Sequence, residues 1–279
     1  MKIYYENDAG RVDFGFGGSE INVLALEGFG TVNPEYKTSS YYGRDGEYTL
    51  DEHVGARCIS ISCDICATNM RVSKILGVLS SPGWLYVSFG EKHRRIYCRR
   101  TAVNEASRFG KYMRFVFQLT SDMPYFESAS VKNTNIYHMI KLIGPSFQFP
   151  TMFGKHIDTT SVINFGDKKC EPVLYIINNK VSNSQPIGFG IKITNRTTGQ
   201  FLKLNTDTLE NEIIAVDIPN RKIESNLRGN MLYCISEDTY LNSFVFEPGV
   251  NTVSVTNYNT NEKITVATEF SPRYAEAVY

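Results

Sequence analysis

Hydrophobic and polar residues alternate with a period of two along most of this chain, which predicts β-strands. The clearest case runs from Arg57 to Ile65, where isoleucine or cysteine alternates with small polar residues. A second case is the segment 112–119, one face of which is strongly apolar. Both segments predict half-buried strands of an antiparallel sheet.

The period changes to that of a helix over one segment, ATNMRVSKILGVLSSPG. Its apolar residues follow i, i+3, i+4, i+7 spacing, and they are Val72, Ile75, Leu76 and Leu79. Thr68 or Asn69 can cap the start, and Ser-Ser-Pro-Gly stops the helix. The pattern predicts no other amphipathic helix.

A long β-hairpin is predicted after this helix, from Trp84 to Val103, with its two strands joined around Gly90. Between Glu91 and Arg114 there are eight Lys or Arg residues and two acids, interleaved with aromatic residues. Such a composition suits a nucleic-acid patch. It also suits a solvated face, or a surface that meets acidic residues of a neighbouring subunit, and the chain's zero net charge favours this second interpretation.

The second half reads as a series of short strands after a boundary region at 128–162, which has weak periodicity and two prolines. Strand signals such as SVINF, VLYIINN and SFVFE recur at intervals of about ten residues, separated by Asp, Asn, Gly and Pro, as in a β-sandwich or jelly roll. In FEPGVNTVSVT, Pro248-Gly249 predicts a turn between two of them. We expect two domains, 1–130 and 131–279.

Composition sets the broad class of the protein. Of its 279 residues 42% are hydrophobic and 21% charged, which is typical of a globular chain. Lys plus Arg and Asp plus Glu number 29 each, so no net charge draws the chain to nucleic acid or an anionic membrane. MKIYYENDAG lacks the apolar core of a secretory signal, and no apolar stretch approaches the roughly 20 residues of a membrane span. These features predict a soluble protein assembled in cytoplasm.

Cysteine spacing does not predict a metal site. In a straight strand, Cys58 and Cys66 share a face while Cys63 points to the other. The three sulfurs therefore cannot reach one ion, and no other Cys or His pair has zinc spacing. We expect reduced cysteines that pack, and no cofactor.

Catalytic signatures are equally weak. GFGG at Gly15–Gly18 lacks the Lys and the strand-to-helix setting of a phosphate loop, and neither G-x-S-x-G nor H-E-x-x-H occurs. The acids that could form a glycosidase pair lie mostly in the loop TDTLENE; they are Asp207, Glu210, Glu212 and Asp217. We predict that the protein is not an enzyme.

Four segments of the second half occur in an order that resembles the distal tail proteins of long non-contractile-tailed bacteriophages and related prophages. They are INFGDKKCEPVLYI, ITNRTTGQFLKL, NEIIAVDIPNRKIESN and SFVFEPGVNTVSV. The closing EFSPRYAEAV is similar to the family's usual ending, and the first half is similar in layout to its ring-forming belt domain. The resemblance implies a mainly β fold, with a belt domain (a β-sandwich with a helix and a long hairpin) followed by a galectin-like β-sandwich.

The resemblance also implies a structural role at the virion tail tip, after assembly in the host bacterial cytoplasm. The expected form is a hexameric ring that joins the tail-tube protein to the tail-associated hub protein, with DNA only passing through its channel and no membrane contact. A receptor-binding protein is a further expected partner of the ring. The alternative is a host-recognition module, whose C-terminal sandwich binds cell-wall glycan. Aromatic platforms for a sugar would be Tyr175, Phe189, Phe201, Tyr233 and Tyr240. Because strand aromatics are more often core residues, we favour docking without sugar affinity.

The predicted hairpin is the element that we expect to contact a neighbouring subunit or the tail tube, by pairing strands across subunits. Its candidate contact residues are Trp84, Tyr86, Arg94, Arg95, Tyr97 and Arg99.

Overall fold

The computed structural model describes residues 1–16, 21–66, 69–138, 159–181, 189–258 and 262–277. The chain forms two compact units. The first comprises Met1–Ser130 together with Arg273–Tyr279, and the second comprises Val131–Pro272. The predicted mainly β fold with β-sandwich architecture is confirmed. The predicted cap Thr68 and residues 139–158 of the predicted boundary region lie outside the described residues.

Antiparallel strands and one α-helix build the body of the first unit. The strands are β1 Lys2–Asn7, β2 Gly10–Phe14, β3 Ile21–Glu27, β4 Glu35–Ser39, β5 Tyr48–His53, β6 Arg57–Cys66, β7 Gly83–Phe89, β8 Lys92–Phe109, β9 Tyr112–Ser121 and β10 Phe126–Ser128. They follow the order β2-β1-β7-β8-β9-β6-β3, with β10 beside β8, while β4 and β5 pair only with each other. The long β8 pairs with β7 through Lys92–Cys98 and with β9 through Arg99–Phe109, so it links the two halves of this sheet.

The helix α1, Asn69–Ser80, covers the core of the first unit. Val72, Val78 and Leu79 are buried, and Ile75 and Leu76 pack partly buried against the same cluster. The helical spacing in the sequence therefore predicted the buried side of this helix. The predicted hairpin is also present, with Gly90 at a positive φ of 58° in its turn.

The second unit is a sandwich of two antiparallel sheets. Its strands are β11 Lys132–His138, β12 Thr159–Asn164, β13 Val173–Val181, β14 Ile191–Asn195, β15 Phe201–Leu204, β16 Ile213–Asp217, β17 Lys222–Ser225, β18 Gly229–Asn230, β19 Gly249–Asn257 and β20 Glu262–Phe270. The six-stranded sheet has the order β11-β20-β13-β16-β17-β18, and the four-stranded sheet has the order β12-β19-β14-β15. One cluster of aliphatic and aromatic side chains fills the space between them.

The Pro-Gly turn is closed by a side chain further along the motif. The Asn251 amide accepts a hydrogen bond from the Glu247 N–H and donates to the carbonyl oxygens of Glu247 and Gly249. Gly249 opens β19 at a φ of 90°, which glycine adopts without strain. The expected strand over SFVFE is present only as a bridge between Phe246 and Cys170, although Phe244 and Phe246 of this segment are both buried in the core.

The chain returns to the first unit after β20. Strand β21, Arg273–Tyr274, pairs antiparallel with β10, and the Ala277 N–H donates to the Phe29 carbonyl oxygen. Residues 273–277, here called the strap, were predicted to belong to a domain of 131–279, whereas the compact units place them in the first unit. The second unit is therefore inserted between two paired strands of the first.

No helix in the described ranges has the length and hydrophobicity that a membrane crossing requires. Nor do the described residues contain a group of three or more His, Cys, Asp or Glu side chains placed to hold a metal ion. Cys63 is buried, whereas Cys58 is exposed on the other side of β6.

Candidate assembly surface

Five of the six predicted contact residues lie on one side of the first unit. Side chains along β7 and β8 alternate between the two sides of the sheet. Those of Leu85, Val87, Ile96 and Cys98 are buried, and the residues between them face outward. The outward set, here called the outer face, is Tyr4 of β1 with Trp84, Tyr86, Arg95, Tyr97 and Arg99. The register places Tyr86 between Tyr4 and Arg95, and Trp84 opposite Tyr97.

The outer face is a packed aromatic layer rather than a set of loose side chains. The rings of Tyr4 and Tyr86 stack with centroids 4.6 Å apart, and Trp84 meets Tyr97 edge to face at 5.2 Å. The Arg95 guanidinium lies 4.2 Å above the Trp84 ring, and this cation–π contact attracts the positive charge to the face of the ring. Tyr97 remains 52% exposed, so the layer presents aromatic area to solvent.

Arg94 does not belong to this surface. It is buried on the opposite side of β8, where its Nη1 donates to the Glu276 carbonyl oxygen at 2.6 Å and its guanidinium stacks on Tyr274 at 3.8 Å. Arg94 therefore holds the strap. Strand pairing across subunits through β7 is also excluded in this fold, because β7 already lies between β1 and β8.

A groove of about 370 Å³ opens beside the outer face, where the β8–β9 ladder ends and the β8–β10 ladder begins. Tyr97, Met123 and Tyr125 provide its apolar lining. Arg99 and Asp122, 3.1 Å apart, form an ion pair at this site. The groove therefore combines an apolar lining with charged groups.

The basic residues of the hairpin region do not form one nucleic-acid patch. Besides Arg94, several have partners within the chain: Arg95 with Glu127, Arg99 with Asp122, Arg114 with Asp64, and Arg100 with the Leu76 carbonyl oxygen. The hydrogen bond from Arg114 lowers the pKa of Asp64 below its usual value, and the partial burial of the carboxylate opposes this shift without cancelling it. The alternation of β8 also divides these cations between two sides of the sheet.

The hairpin β4–β5 is a second candidate surface, and sequence reasoning missed it. Every residue of its two strands is exposed except Ser39, which is half-buried. This segment, 35–53, is here called the arm. It exposes five large apolar side chains, and they are Tyr36, Tyr41, Tyr42, Tyr48 and Leu50. With five acids and two Lys or Arg residues, the arm has a net charge of −3.

Strand pairing and side-chain contacts hold the arm together, among them that of His53 Nε2 with Glu35 Oε2 at 3.4 Å. Tyr41 and Tyr48 stack at 4.7 Å, and β4 pairs with β5 through a register that shifts between Lys37 and Thr38. An isolated two-stranded hairpin is marginally stable in water. Several large apolar side chains exposed on one short segment are typical of interaction sites.

Two of the four acids considered for glycoside hydrolysis, Glu212 and Asp217, are held by hydrogen bonds within the second unit. Glu212 is fully buried, and Arg228 binds it through Nε and Nη2 at 2.7 Å each. Burial alone would raise the pKa of Glu212, but hydrogen bonds from Arg228, the Leu209 N–H and Ser225 together lower it. Asp217 accepts from the Asn220 N–H and side chain in a turn. These two acids stabilise loops of the second unit.

The expectation that the platform aromatics of the second unit are core residues is wrong. None of Tyr175, Phe189, Phe201, Tyr233 and Tyr240 is buried. Tyr175 lies between buried Leu174 and Ile176, and Phe201 precedes buried Leu202. Both occupy outward strand positions, which is why strand location alone misplaced them. The Tyr175 hydroxyl donates to Glu269 Oε2 at 3.2 Å.

Comparison with known proteins agrees with this fold. Residues 172–274 match the family model described as the C-terminal domain of a siphovirus-type tail component. Among solved structures, the Dit protein of phage SPP1 aligns with a TM-score of 0.70 at 12% identity, covering 98% of both chains. A chain of the phage P2 baseplate aligns at 12% identity with a TM-score of 0.46, covering 96% of this chain and 97% of that one. No curated protein sequence matches the chain.

These findings confirm the predicted resemblance to distal tail proteins. Most of the second unit is similar to the C-terminal domain of siphovirus-type tail components, and the chain shares the fold of SPP1 Dit over 98% of its length.

Proposed function

We propose that this protein is a non-enzymatic structural component of a phage tail tip that assembles into a hexameric ring. The observation that carries the proposal is the fold shared over 98% of both chains with SPP1 Dit, which is described as a paradigm of the hub adsorption apparatus of phages that infect Gram-positive bacteria. The family match of residues 172–274 supports the same assignment independently of the first unit.

The first unit supplies surfaces that suit ring formation. A closed ring needs a heterologous interface, in which two different patches of each copy meet. The outer face with its groove is one patch, and the apolar, acidic arm is a second patch of different shape and composition. We propose Trp84, Tyr86, Arg95, Tyr97 and Arg99 as contacts to the next subunit or to the tail tube.

In the virion, the ring would join the tail-tube protein to the tail-associated hub protein, and DNA would only pass through its channel. Assembly would take place in the cytoplasm of the host bacterium. The zero net charge of the chain is compatible with a channel wall that does not retain DNA.

The proposal is tested by the mass of the purified protein in solution and by negative-stain images, alone and with the tail-tube protein. We expect a species of six copies and ring-shaped particles. A monomer at high concentration that also forms no ring with the tube protein would overturn the proposal.

A further inference from the structure

The arm joins the body of the first unit through two stems that lie side by side. The first stem, residues 28–30, follows the end of β3, and the second stem is the start of β6 at Arg57. A Cβ built on Gly28 would lie 2.1 Å from the Cys58 carbonyl oxygen, so the main chains of the two stems approach closely. Since β4 and β5 pair with no other described strand, the position of the arm depends on these stems.

The strap forms hydrogen bonds with both stems. The Ala277 N–H donates to the Phe29 carbonyl oxygen of the first stem at 2.8 Å. Arg57 Nη1 donates to the two glycine carbonyl oxygens of the same stem, at 2.6 and 2.8 Å, and Arg57 Nη2 donates to the carbonyl oxygen of Ala275 in the strap. The first stem, the second stem and the strap are therefore each bonded to the other two.

Buried side chains enclose this junction. Phe29, Phe126 of β10 and Ala277 are all buried, and the rings of Phe29 and Phe126 stack with centroids 6.3 Å apart. The Arg57 guanidinium lies 4.8 Å above the Phe126 ring, and Phe126 is the register partner of Tyr274 in the strap. Without the strap, Arg57 would lose an acceptor for a buried charged donor, which is unfavourable.

Arg94 holds the strap from another direction. It bonds to the Glu276 carbonyl oxygen and stacks on Tyr274, whereas Ala275 and Ala277 are the strap residues that bond to the stems. Alternate residues of the strap thus serve two different contacts. A change at Arg94 therefore loosens the strap without removing any of the hydrogen bonds that the stems make.

We propose that the strap is a positioning clamp for the arm, which keeps one position only while residues 273–277 are paired with β10 and bonded to both stems. These residues follow the second unit in the chain, so they are synthesised after it. The arm is therefore fixed in place only after the second unit has been made. A chain that still lacks the strap would then fail to enter the ring. This consequence rests on the proposed function, whereas the positioning of the arm by the strap does not.

A strap that only stabilised the first unit would behave differently. Its loss would lower the melting temperature of the unit but would leave the arm in place for as long as the unit stays folded. Leu79 of α1 separates the two cases, because it is buried in the core of the same unit and lies on neither the strap nor a stem. Truncation of such a side chain lowers stability by leaving a cavity.

The test measures the distribution of distances between two nitroxide labels by pulsed electron paramagnetic resonance on the full chain. One label is placed in the arm through Thr49→Cys and the other on α1 through Lys74→Cys, both at exposed positions. Cys58→Ser and Cys66→Ser complete the labelled parent, because these two of the six cysteines are not buried. The parent should give a narrow distribution.

The variant Arg94→Ala should broaden this distribution while circular dichroism still reports a folded first unit. The matched control Leu79→Ala should lower the melting temperature and keep the distribution narrow. A chain that ends at Pro272 should give the broad distribution, and a synthetic peptide of residues 273–279 added to it should narrow the distribution again. Tyr274→Ala, which keeps the hydrogen bond from Arg94, is a milder second variant for the case in which Arg94→Ala does not fold.

Three results would overturn the inference: a broad distribution in the parent, a narrow one in folded strap variants, or equal broadening in Leu79→Ala. Ring formation is measured separately on the same variants. A broadened distribution with rings still present would support the positioning clamp and contradict the role of the arm in the proposed ring, so the two failures are distinguishable.

Discussion

Arg57 holds together several segments of the first unit, and its removal should be strongly destabilising. The side chain is 2% exposed, and its guanidinium donates to four main-chain carbonyl oxygens. The acceptors are those of Pro124 at 2.5 Å, Gly28 at 2.6 Å, Gly30 at 2.8 Å, and Ala275 of the strap. Burial lowers the pKa of Arg57 to about 10, so the group remains charged at neutral pH.

The expected loss follows from these contacts. A hydrogen bond from a charged donor contributes about 1.5–3 kcal/mol, but the charge also loses its solvation on burial, so the four contributions do not simply add. Breaking a buried charged network by removing one partner costs about 3–5 kcal/mol. We therefore expect Arg57→Ala to lower the free energy of unfolding of the first unit by about 4 kcal/mol. The melting temperature of that unit would then fall by roughly 10–15 °C.

Differential scanning calorimetry of the full chain measures this change. The control is Arg99→Ala, which removes an exposed arginine paired with Asp122 and should change stability by less than about 1 kcal/mol. Arg57→Lys should recover part of the loss, because an ammonium group has three donors and cannot reach all four carbonyl oxygens. An Arg57→Ala protein within about 1 kcal/mol of the wild type would refute the reasoning.

Three further predictions concern other parts of the molecule. Glu212→Gln should destabilise the second unit by about 2–4 kcal/mol at pH 7. The pKa of Glu212 is lowered in the folded state, so the charged carboxylate stabilises the fold fully above the usual glutamate pKa, and this stabilisation is lost as the pH falls through the lowered pKa. Urea unfolding should therefore show a smaller difference between the variant and the wild type at pH 3 than at pH 7. Gly28→Ala should unfold at lower urea concentration than Gly43→Ala: both sites have positive φ, but a Cβ at Gly28 would lie 2.1 Å from the Cys58 carbonyl oxygen, whereas at Gly43 it would meet nothing within 4 Å. An equal effect at both glycines would show that the clash is relieved without cost. Replacing the arm, 35–53, with a short glycine linker should leave the first unit folded, as measured by circular dichroism, because β4 and β5 pair with no other described strand. The same replacement should abolish ring formation in solution. Rings of the shortened protein would contradict a role for the arm in assembly.

The elements that the sequence predicted well are those with a buried side and an exposed side. β6 and α1 each place apolar residues on one side, with periods of 2.0 and 3.6, and both appear where the pattern located them. The outer face was not predicted as a face, because the sequence left open which side of the hairpin is buried and the expected contact residues included Arg94, which lies on the opposite side of β8.

The features that sequence reasoning missed depend on contacts between distant segments. Arg57 looks like an ordinary polar residue at the start of a strand, and only the fold brings it to Ala275, more than 200 residues later. Arg94 was expected among the contact residues of the hairpin, yet the strap offers it a carbonyl oxygen and a Tyr274 ring. The arm could have been recognised from Tyr and Leu residues on both sides of the GRDG turn.

The pairing of β10 with β21 has a consequence for how such a protein can diversify. The chain leaves the first unit just after β10 and re-enters it at β21, and these strands are register partners through Phe126 and Tyr274. The points at which the chain leaves and re-enters the first unit are thus adjacent. This arrangement allows one folded domain to be exchanged for another without disturbing the domain into which it is inserted. An exchange of the gene segment that encodes Val131–Pro272 would therefore insert a different module between two strands that stay paired, and the scaffold of the first unit would be kept.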